Sequence, residues 1–417
     1  MKLRQVDTLK EAREKLQTAA GGLPLRTDML PLAEAGGRVL AADVPAADAV
    51  PAFRKSTMDG YAVRAADTQG AGDSIPCFLI VVDTIQIGRP PQTEIGPGEC
   101  AYVPTGGMMP AGADAVVMVE YAEAFDESGT QIAVYQAVSP GQYVIGIGED
   151  IRAGAPLLRR GTRLRPQEIG ALAAVGCAEV EVYAPPTISI FSTGNELVDA
   201  AAEPAPAQVR DINSYTVAAR SRAAGLAVRR IELLRDDREL LRQRLAAAMR
   251  DSDLVAVSGG SSQGTQDFTA DVLDELTSGG VFTHGIALKP GKPTILAYDG
   301  SSRTLMIGLP GHPAAAMLVF ELLVVRFLRR CMDVPDPPVL RARMETNVAG
   351  GAGRAVCQLV QLHRSDTGEA GAPPYLARPI LGKSGLITTL VRADGYTLID
   401  HNREGLKKGE AVNVTPL

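Results

Sequence analysis

The sequence predicts a multidomain α/β protein whose central domain is a doubly wound, mostly parallel sheet. Its 417 residues are more than one hydrophobic core usually supports, so two to four domains are expected. Strand-like and helix-like segments alternate over residues 186–332, which is typical of parallel strands joined by crossover helices. On both sides of this region, short β-branched segments separated by Gly and Pro predict smaller β domains.

These changes in pattern divide the chain into four parts. The amino-terminal segment has apolar residues at helical spacing, Val6, Leu9, Ala12 and Leu16, which predict a helix over residues 4–18. A Pro- and Asp-rich break follows the last predicted helix. The predicted parts are an N-terminal and linking region at 1–45 and 145–185, a β-rich domain at 46–144, the α/β domain at 186–332 and a C-terminal β domain at 333–417.

Composition excludes several classes of function. The net charge is −6 and no basic run is present, so the charge pattern gives no support to nucleic-acid binding. The five cysteines are scattered without a CxxC pair, which argues against a disulfide framework or a zinc site and fits a reducing cytoplasm. The start of the chain is charged, and the most apolar helix is interrupted by Glu321 and Arg326. We therefore expect a cytoplasmic protein that does not enter membranes.

Four loops rich in Gly, Ser, Pro and acidic residues follow predicted strands of the α/β domain. They are STGNE at 192–196, RDD at 235–237, SGGSSQG at 258–264 and LPGHP at 309–313. In open α/β sheets, ligands bind beyond the carboxyl ends of the strands. The sequence therefore predicts a binding site where these loops meet.

Two of the predicted loop groups suit anions. The glycine loop SGGSSQG, at the end of the predicted strand DLVAVSGG, lets the backbone approach a ligand, although an ordinary strand-to-helix loop is an equal alternative. Its candidate binding residues are Ser258, Gly259, Gly260, Ser262 and Gly264. In KPGKP, Lys289 and Lys292 would form a cationic clip for phosphate or another oxyanion, unless they are simply solvated.

Three carboxylates near different strand ends would make an oxygen-rich Mg²⁺ site if they converge. They are Glu196, Asp236 and Asp267. For Asp236 the competing interpretation is equally strong, because Asp before a helix is a common N-cap.

Three further motifs have simple alternatives. Asp59 in STMDGYAV can be a plain Asp-Gly turn, and the segment that begins at Thr105, TGGMMPAGADAV, can be a plain glycine loop. His312 in PGHP is best interpreted as a residue at a helix start. The GKS at 382–384 is not a P-loop, because Ala377 stands where that motif requires Gly.

Eight motifs occur in the same order as in one known family. They are PxFxxSxMDGYAV, TGGxxPxGADAVVMVE, GEDIxxG, STGNELV, RDIN, SGGxSxG…DFT, LKPGKP and GLPGxP. Together they resemble the molybdopterin molybdenumtransferase family, which is also known as MoeA and as the E domain of gephyrin. The match extends through nearly the whole chain.

The resemblance implies a homodimer with a linking region, a β-rich domain, a molybdopterin-binding-type α/β domain and a C-terminal β-barrel. The implied reaction inserts molybdate into adenylylated molybdopterin, with Mg²⁺ as cofactor and AMP as a product. The implied partners are these two substrates and a second copy of the chain, with molybdopterin adenylyltransferase and acceptor molybdoenzymes as further candidates.

The resemblance also assigns roles to residues. It implies that Asp59 and Thr105 lie on a domain that faces the α/β site of the partner subunit. The implied catalytic residues are Asp59, Thr105, Asp150, Glu196, Asp267 and Lys289, and the implied metal ligands are Glu196, Asp236 and Asp267. The implied substrate-binding residues are Ser258, Gly259, Gly260, Ser262, Gly264, Lys292, Pro310, Gly311 and Ser384.

The chain departs from the family pattern mainly by losing charge near the expected site. GRAVCQL places Leu359 where many members have a second arginine, and Thr265 stands where an acid is usual. The alternative function is therefore a divergent, non-catalytic member that binds molybdopterin or acts as a scaffold. A general nucleotide-binding enzyme finds little support, because both standard phosphate-binding fingerprints are absent.

Overall fold

The structure is a computed structural model that describes residues 6–21, 23, 25–259, 268–365 and 373–417. The chain forms two compact units: Met29–Glu181 is one, and Met1–Asp28 with Val182–Leu417 is the other. This division is coarser than the predicted four parts, whose boundaries stay a prediction. In the described part of the chain, every helix is too short or too polar to cross a membrane.

The first helix, α1 (Leu9–Ala20), begins at a capping box. The Thr8 hydroxyl accepts from the Glu11 N–H at 3.1 Å, and the Glu11 carboxylate accepts from the Thr8 N–H at 2.7 Å. The prediction that the helical pattern extends over residues 4–18 was wrong at its start, because Val6 precedes the cap and is 38% exposed. The T-x-x-E spacing is the signal that fixes the start.

The unit Met29–Glu181 contains a mixed six-stranded sheet in the order β4-β1-β3-β2-β6-β5. Buried apolar side chains on its strands form two core clusters, as expected for a sheet that is covered on both faces. The helix of this unit is α2 (Pro166–Ala174). The strands are β1 (Gly60–Val63), β2 (Cys77–Thr84), β3 (Glu99–Val103), β4 (Ala115–Met118), β5 (Ala122–Ala124) and β6 (Gln131–Val134).

The α/β domain contains a second six-stranded sheet in the order β8-β7-β9-β12-β11-β10. The pairings among β8, β7, β9 and β12 are parallel, and the two pairings of β11 are antiparallel. The mostly parallel, doubly wound sheet predicted from the sequence is confirmed. Its strands are β7 (Thr187–Thr193), β8 (Ala227–Leu234), β9 (Leu254–Ser258), β10 (Val281–His284), β11 (Ile295–Asp299) and β12 (Thr304–Leu309).

Every residue of the central strands β7, β9 and β12 is buried, because helices cover both faces of the sheet. The sequence pattern did not predict β10, a short strand on the antiparallel edge that no helix separates from β11. The helices are α3 (Asn213–Ala223), α4 (Arg238–Ala248), α5 (Thr269–Leu276), α6 (Pro313–Val319), a π-helical segment (Phe320–Val325) and α7 (Arg326–Cys331).

The C-terminal strands close into a five-stranded barrel in the order β14-β15-β13-β17-β16, and β16 pairs back with β14. The long β14 makes closure possible, because its first half pairs with β16 and its second half with β15. The barrel confirms the fold that the resemblance implied. Its elements are β13 (Leu340–Met344), β14 (Ala355–Arg364), β15 (Tyr375–Pro379), α8 (Thr388–Val391), β16 (Gly395–Ile399) and β17 (Ala411–Pro416).

The remaining elements are short 3₁₀ turns and short strands. The 3₁₀ turns are Leu32–Glu34, Ala65–Thr68 and Val119–Tyr121, and the last of them separates β4 from β5. The short strands are Thr27–Pro31, Val44–Pro45, Lys55–Ser56, Val144–Ile145, Pro156–Leu158, Glu179–Tyr183, Leu197–Val198, Val209–Arg210, Leu288–Lys289, Val348–Ala349 and Gly405–Leu406.

A buried ion pair joins α3 to the π-helical segment. The Arg220 Nε donates to the Glu321 carboxylate at 2.7 Å, and the two side chains are 18% and 9% exposed. A buried charge that loses its partner destabilises a protein far more than an exposed one does.

We expect Glu321→Gln to lower the free energy of unfolding by about 2 kcal/mol, because the Arg220 guanidinium then lacks a charged partner. The paired change Arg220→Met with Glu321→Leu should restore most of the loss. The urea midpoint of each variant measures the effect. Arg244→Ala is the matched control, because it removes a more exposed ion pair. The Arg244 Nε lies 3.7 Å from the Glu232 carboxylate, and the Arg244 side chain is 53% exposed. Equal midpoints for Glu321→Gln and wild type would contradict this account.

Candidate functional site

The parallel strands of the α/β sheet end together beside the barrel. Ser192 on β7 is in register with Ser258 on β9, and Ser258 is in register with Leu309 on β12. The loops that follow these strands, together with the barrel, line a cavity of about 1220 Å³. This is larger than the ~300–1,000 Å³ of most small-molecule pockets, so there is room for an extended ligand.

Many residues predicted from the sequence line this cavity. From the α/β domain they are Glu196, Asp236, Gly259, Lys289, Lys292, Pro310 and Gly311, and from the barrel it is Ser384. The loops chosen because they follow strands are therefore brought together. The predicted residues Gly260, Ser262, Gly264 and Asp267 lie outside the described residues, as does Thr265.

The N-cap of α4 is not Asp236 but the next residue in the chain. Asp237 is the N-cap of α4, and its carboxylate accepts from the Leu240 N–H at 2.8 Å. The alternative that Asp236 is only an N-cap is therefore wrong. The Asp236 Oδ1 is buried and has no hydrogen-bond partner within the described ranges. A buried carboxylate oxygen without a partner is costly unless a ligand or an ion binds it.

Asp236 is also linked to the STGNE loop. The Asp236 N–H donates to the Asn195 side-chain oxygen at 3.2 Å, and the Asn195 N–H contacts the Asp236 carboxylate at 3.4 Å. These contacts join the ends of β7 and β8. Glu196, the next residue of the loop, is exposed and folds back over Gly194, where a Cβ atom would lie 2.8 Å from its carboxylate.

The predicted metal triad stays a prediction. Within the described residues, no group of three or more His, Cys, Asp or Glu side chains is arranged to hold a metal ion. Glu196 and Asp236 line the same cavity, whereas the third predicted ligand, Asp267, belongs to the segment 260–267 that the structure does not describe.

Gly259 is required by the backbone next to it. Its φ is +101°, and a Cβ atom there would lie 2.1 Å from the Thr193 carbonyl oxygen of the adjacent strand. A side chain would therefore push β9 away from β7 at the edge of the cavity. The sequence predicted that glycine lets the backbone approach a ligand here. In the structure, Gly259 also lets the ends of β9 and β7 approach each other.

Asn213, in the RDIN motif, holds two of the cavity loops together. Its Nδ2 donates to the buried Ser258 hydroxyl at 2.6 Å and to the Gly311 carbonyl at 2.8 Å. Asp211 of the same motif is buried and accepts from the Ser192 and Ser214 hydroxyls at 3.0 and 2.5 Å. Neither residue was predicted to be a site residue, because RDIN is a short motif whose significance came only from the resemblance.

The KPGKP segment lies where the α/β domain contacts the barrel. Leu288–Lys289 pairs in parallel with the first residues of β14. Gly291 has a φ of +133°, and a Cβ atom there would lie 2.7 Å from a Val319 methyl carbon. Glycine therefore allows the tight turn that places both lysines at the cavity.

Among the described residues, those that line the cavity carry more positive than negative charge. Lys289, Lys292, Arg354 and Lys383 line it together with the acidic residues Glu196 and Asp236. None of these four cations forms an ion pair with another described residue. An excess of unpaired positive charge in a concave site attracts anions.

Two barrel residues make part of the cavity wall apolar. Leu359 and Cys357 lie on β14 and are 7% and 3% exposed. Burial raises the pKa of the Cys357 thiol, which keeps it protonated and a poor nucleophile at neutral pH.

His312 and Ser384 meet across the cavity wall. The His312 Nδ1 lies 2.8 Å from the Ser384 Oγ, and the Ala314 N–H donates to the Ser384 carbonyl at 3.2 Å. His312 is the N-cap residue of α6, so its predicted place at a helix start is confirmed. Its contact with Ser384 was not predicted, because the two residues are 72 positions apart.

In the unit Met29–Glu181, the structure brings Asp59 and Thr105 together. The Asp59 carboxylate accepts from the Thr105 N–H at 2.8 Å. Backbone hydrogen bonds between Ser56 and the glycines at 106 and 107 hold the two loops side by side. Asp59 therefore links two loops and is more than an isolated Asp-Gly turn.

Asp150 is exposed, and its N–H donates to the Val50 carbonyl at 3.1 Å. Over the described ranges, no hydrogen bond or ion pair joins the Asp150 side chain to Asp59 or Thr105. The structure thus brings the first two of these predicted residues together by direct contact, but not the third.

Three family models match the chain in order. They are the MoeA N-terminal region (domains I and II) at residues 7–176, a probable molybdopterin binding domain at 189–330, and the MoeA C-terminal region (domain IV) at 341–417.

Full-length relatives agree with these matches. The molybdopterin molybdenumtransferase of Haemophilus influenzae is 32% identical over 414 residues, which cover 98% of each chain. A putative molybdopterin biosynthesis protein of Methanocaldococcus jannaschii is 31% identical over 398 residues, 92% of this chain and 90% of that protein.

Solved structures show the same fold. Two molybdopterin biosynthesis MoeA proteins of Pyrococcus horikoshii match 99% of this chain, with TM-scores of 0.82 and 0.79 at 35% and 26% identity. The matches cover 99% and 100% of those chains. Sequence, domain order and fold therefore lead to one conclusion: the chain belongs to the MoeA family of molybdopterin molybdenumtransferases.

Proposed function

We propose that this protein is a molybdenumtransferase that inserts molybdate into adenylylated molybdopterin and releases AMP. The observation that carries the proposal is the cavity of a MoeA-family chain that is lined by carboxylates and by cations without an ion-pair partner among the described residues. Glu196 and Asp236 lie at the ends of β7 and β8, and Lys289 and Lys292 line the same cavity from the KPGKP turn.

The proposed substrate is rich in negative charge. The bond that breaks joins two phosphoryl groups, and molybdate is itself an oxyanion. Lys289 and Lys292 would neutralise this charge. Their stabilising effect would be largest in the transition state, where negative charge develops on the departing phosphate oxygen. Arg354 and Lys383 add to the positive potential that draws both substrates into the cavity.

Magnesium is the proposed cofactor. Carboxylate oxygens are the ligands it prefers, and the buried Asp236 Oδ1 lacks a protein partner among the described residues. Asp236, Glu196 and the predicted Asp267 would hold the ion. When bound, it would neutralise charge on the pyrophosphate group.

The proposal extends to the β-rich domain, the partners and the cellular location. Asp59, Thr105 and Asp150 are proposed to contribute to the reaction from the β-rich part of the chain. The protein is proposed to act as a homodimer, with molybdopterin adenylyltransferase and acceptor molybdoenzymes as further partners. A cytoplasmic location is supported by the five cysteines, none of which is in a disulfide bond.

A second candidate function is a non-catalytic member that binds molybdopterin or acts as a scaffold. Leu359 favours it, because this position lines the cavity and carries no charge where many family members have arginine. Such a protein would bind adenylylated molybdopterin but release no AMP when Mg²⁺ and molybdate are present. A single assay of AMP release therefore separates the two candidates.

Removal of one charge should stop the proposed reaction without unfolding the chain. We expect Glu196→Gln to lower kcat for AMP release at least about 100-fold, because an electrostatic group that acts in the transition state is lost. Glu203→Gln is the control, because Glu203 is an exposed acid of the same domain. Wild-type activity in Glu196→Gln would remove that residue from the proposed machinery.

Asp59→Asn provides the same test for the β-rich domain. Asparagine keeps an oxygen that can accept from the Thr105 N–H, so the loops should stay joined while the charge is lost. We expect at least about a tenfold loss of AMP release with an unchanged melting temperature. A melting temperature that falls together with activity would show that Asp59 is structural.

Asp236 and Asp237 form a matched pair for the magnesium proposal. We expect a chelator to stop AMP release and Mg²⁺ to restore it. Asp236→Asn should raise the Mg²⁺ concentration for half activity at least about tenfold, because one charged ligand is lost. Asp237→Asn should leave it unchanged, because Asn is an equally good N-cap. Equal Mg²⁺ requirements in the two variants would contradict a ligand role for Asp236.

A further inference from the structure

The GKSG turn of the barrel, residues 382–385, is hydrogen-bonded to the α/β domain through Ser384. The His312 Nδ1 contacts the Ser384 Oγ at 2.8 Å, and the Ala314 N–H donates to the Ser384 carbonyl at 3.2 Å. Among the residues that the structure describes, these are the hydrogen bonds that connect the turn to the α/β domain.

Ser384 takes the place of the missing cap on α6. An N-cap side chain normally accepts from one of the first free N–H groups of its helix. His312 occupies the N-cap position but makes no such bond, and the Ala314 N–H is satisfied by the Ser384 carbonyl. The imidazole is thereby left free to contact the Ser384 hydroxyl.

The two nitrogens of His312 have different surroundings. Nδ1 contacts Ser384, whereas Nε2 lies 3.8 Å from the point where a Cβ atom on Gly385 would be. The ring thus lies against the backbone of the turn, at a distance where a Cβ atom on Gly385 would make an ordinary van der Waals contact.

Within the barrel, Gly382 lies against the buried Thr389, but the apolar side chains around the turn add little packing. The neighbouring apolar side chains Leu381, Leu386 and Val391 are 79%, 52% and 79% exposed. The turn nevertheless carries two cavity-lining groups, the Lys383 ammonium and the Ser384 hydroxyl. Among the described residues, His312 therefore supplies the side-chain hydrogen bond that fixes this turn relative to the α/β domain.

We propose that His312 is a positioning residue that holds the Ser384 hydroxyl and Lys383 at the cavity wall, where they meet the oxyanion groups of the substrate. This inference rests on the proposed function for the identity of the substrate. His312 acts through Ser384 and through the turn, not by contact with the reacting atoms.

Two conservative replacements distinguish the two ring nitrogens. In His312→Asn, the side-chain amide occupies the place of Nδ1 and can still contact Ser384. In His312→Gln, the amide extends toward the place of Nε2 and leaves the serine without its partner. His312→Ala removes both, and His401→Ala is the control, because His401 is an exposed histidine elsewhere on the barrel.

The kinetic expectation is a change in KM without a matching change in kcat. His312→Ala and His312→Gln should raise the KM for adenylylated molybdopterin about fivefold, as expected for one lost hydrogen bond, and kcat should stay within about twofold. His312→Asn and His401→Ala should behave as wild type. Ser384→Ala should raise KM as much as His312→Ala does. The double variant Ser384→Ala with His312→Ala should have a KM no higher than that of either single variant.

A second measurement does not depend on the proposed function. The Ala314 amide should exchange with solvent at least about tenfold faster in His312→Ala and His312→Gln than in wild type, because the turn is no longer held. It should stay protected in His312→Asn. If wild type released no AMP, this measurement would still test the contact by itself.

Either of two results would overturn the inference. Unchanged exchange at Ala314 in all three His312 variants would show that the turn does not depend on His312. Rescue of KM by Gln but not by Asn would show that the Nε2 edge contacts the substrate directly.

Discussion

The parallel register of four strands is the constraint on which the candidate site depends. Strands β8, β7, β9 and β12 lie side by side and point the same way, so four chain segments that are distant in sequence end at one edge. Their polar loops then share one cavity. At this edge, Gly259 approaches the Thr193 carbonyl so closely that even a methyl group is excluded.

The register also explains the polar residues behind the cavity. Parallel strands that end together leave backbone and hydroxyl groups where the helices begin, and buried polar groups need partners. Asn213 supplies two donors to this region, and Asp211 supplies acceptors for two serine hydroxyls. The RDIN segment therefore orders the strand ends, while the groups available to a ligand lie on the loops beyond them.

The barrel contributes chemistry to a site whose acidic residues come from the α/β domain. The short strand Leu288–Lys289 of the α/β domain pairs in parallel with the start of β14. The turn at 382–385 contacts the start of α6. Two cations, Arg354 and Lys383, enter the cavity from this side. The same side carries Leu359, an uncharged residue in the cavity wall.

The sequence by itself determined the mostly parallel sheet, the loops that follow its strands and the family. These depend on local alternation, on glycine and proline, and on motifs within short windows. It could not distinguish Asp236 from Asp237 as the helix cap, because adjacent acids have the same local signal and only the fold directs one of them into the cavity. It could not find the contact of His312 with Ser384 or the closure of β14 on β16, because distant segments carry no local sign of each other. Tertiary structure decided those points, since packing alone determines which distant groups become neighbours.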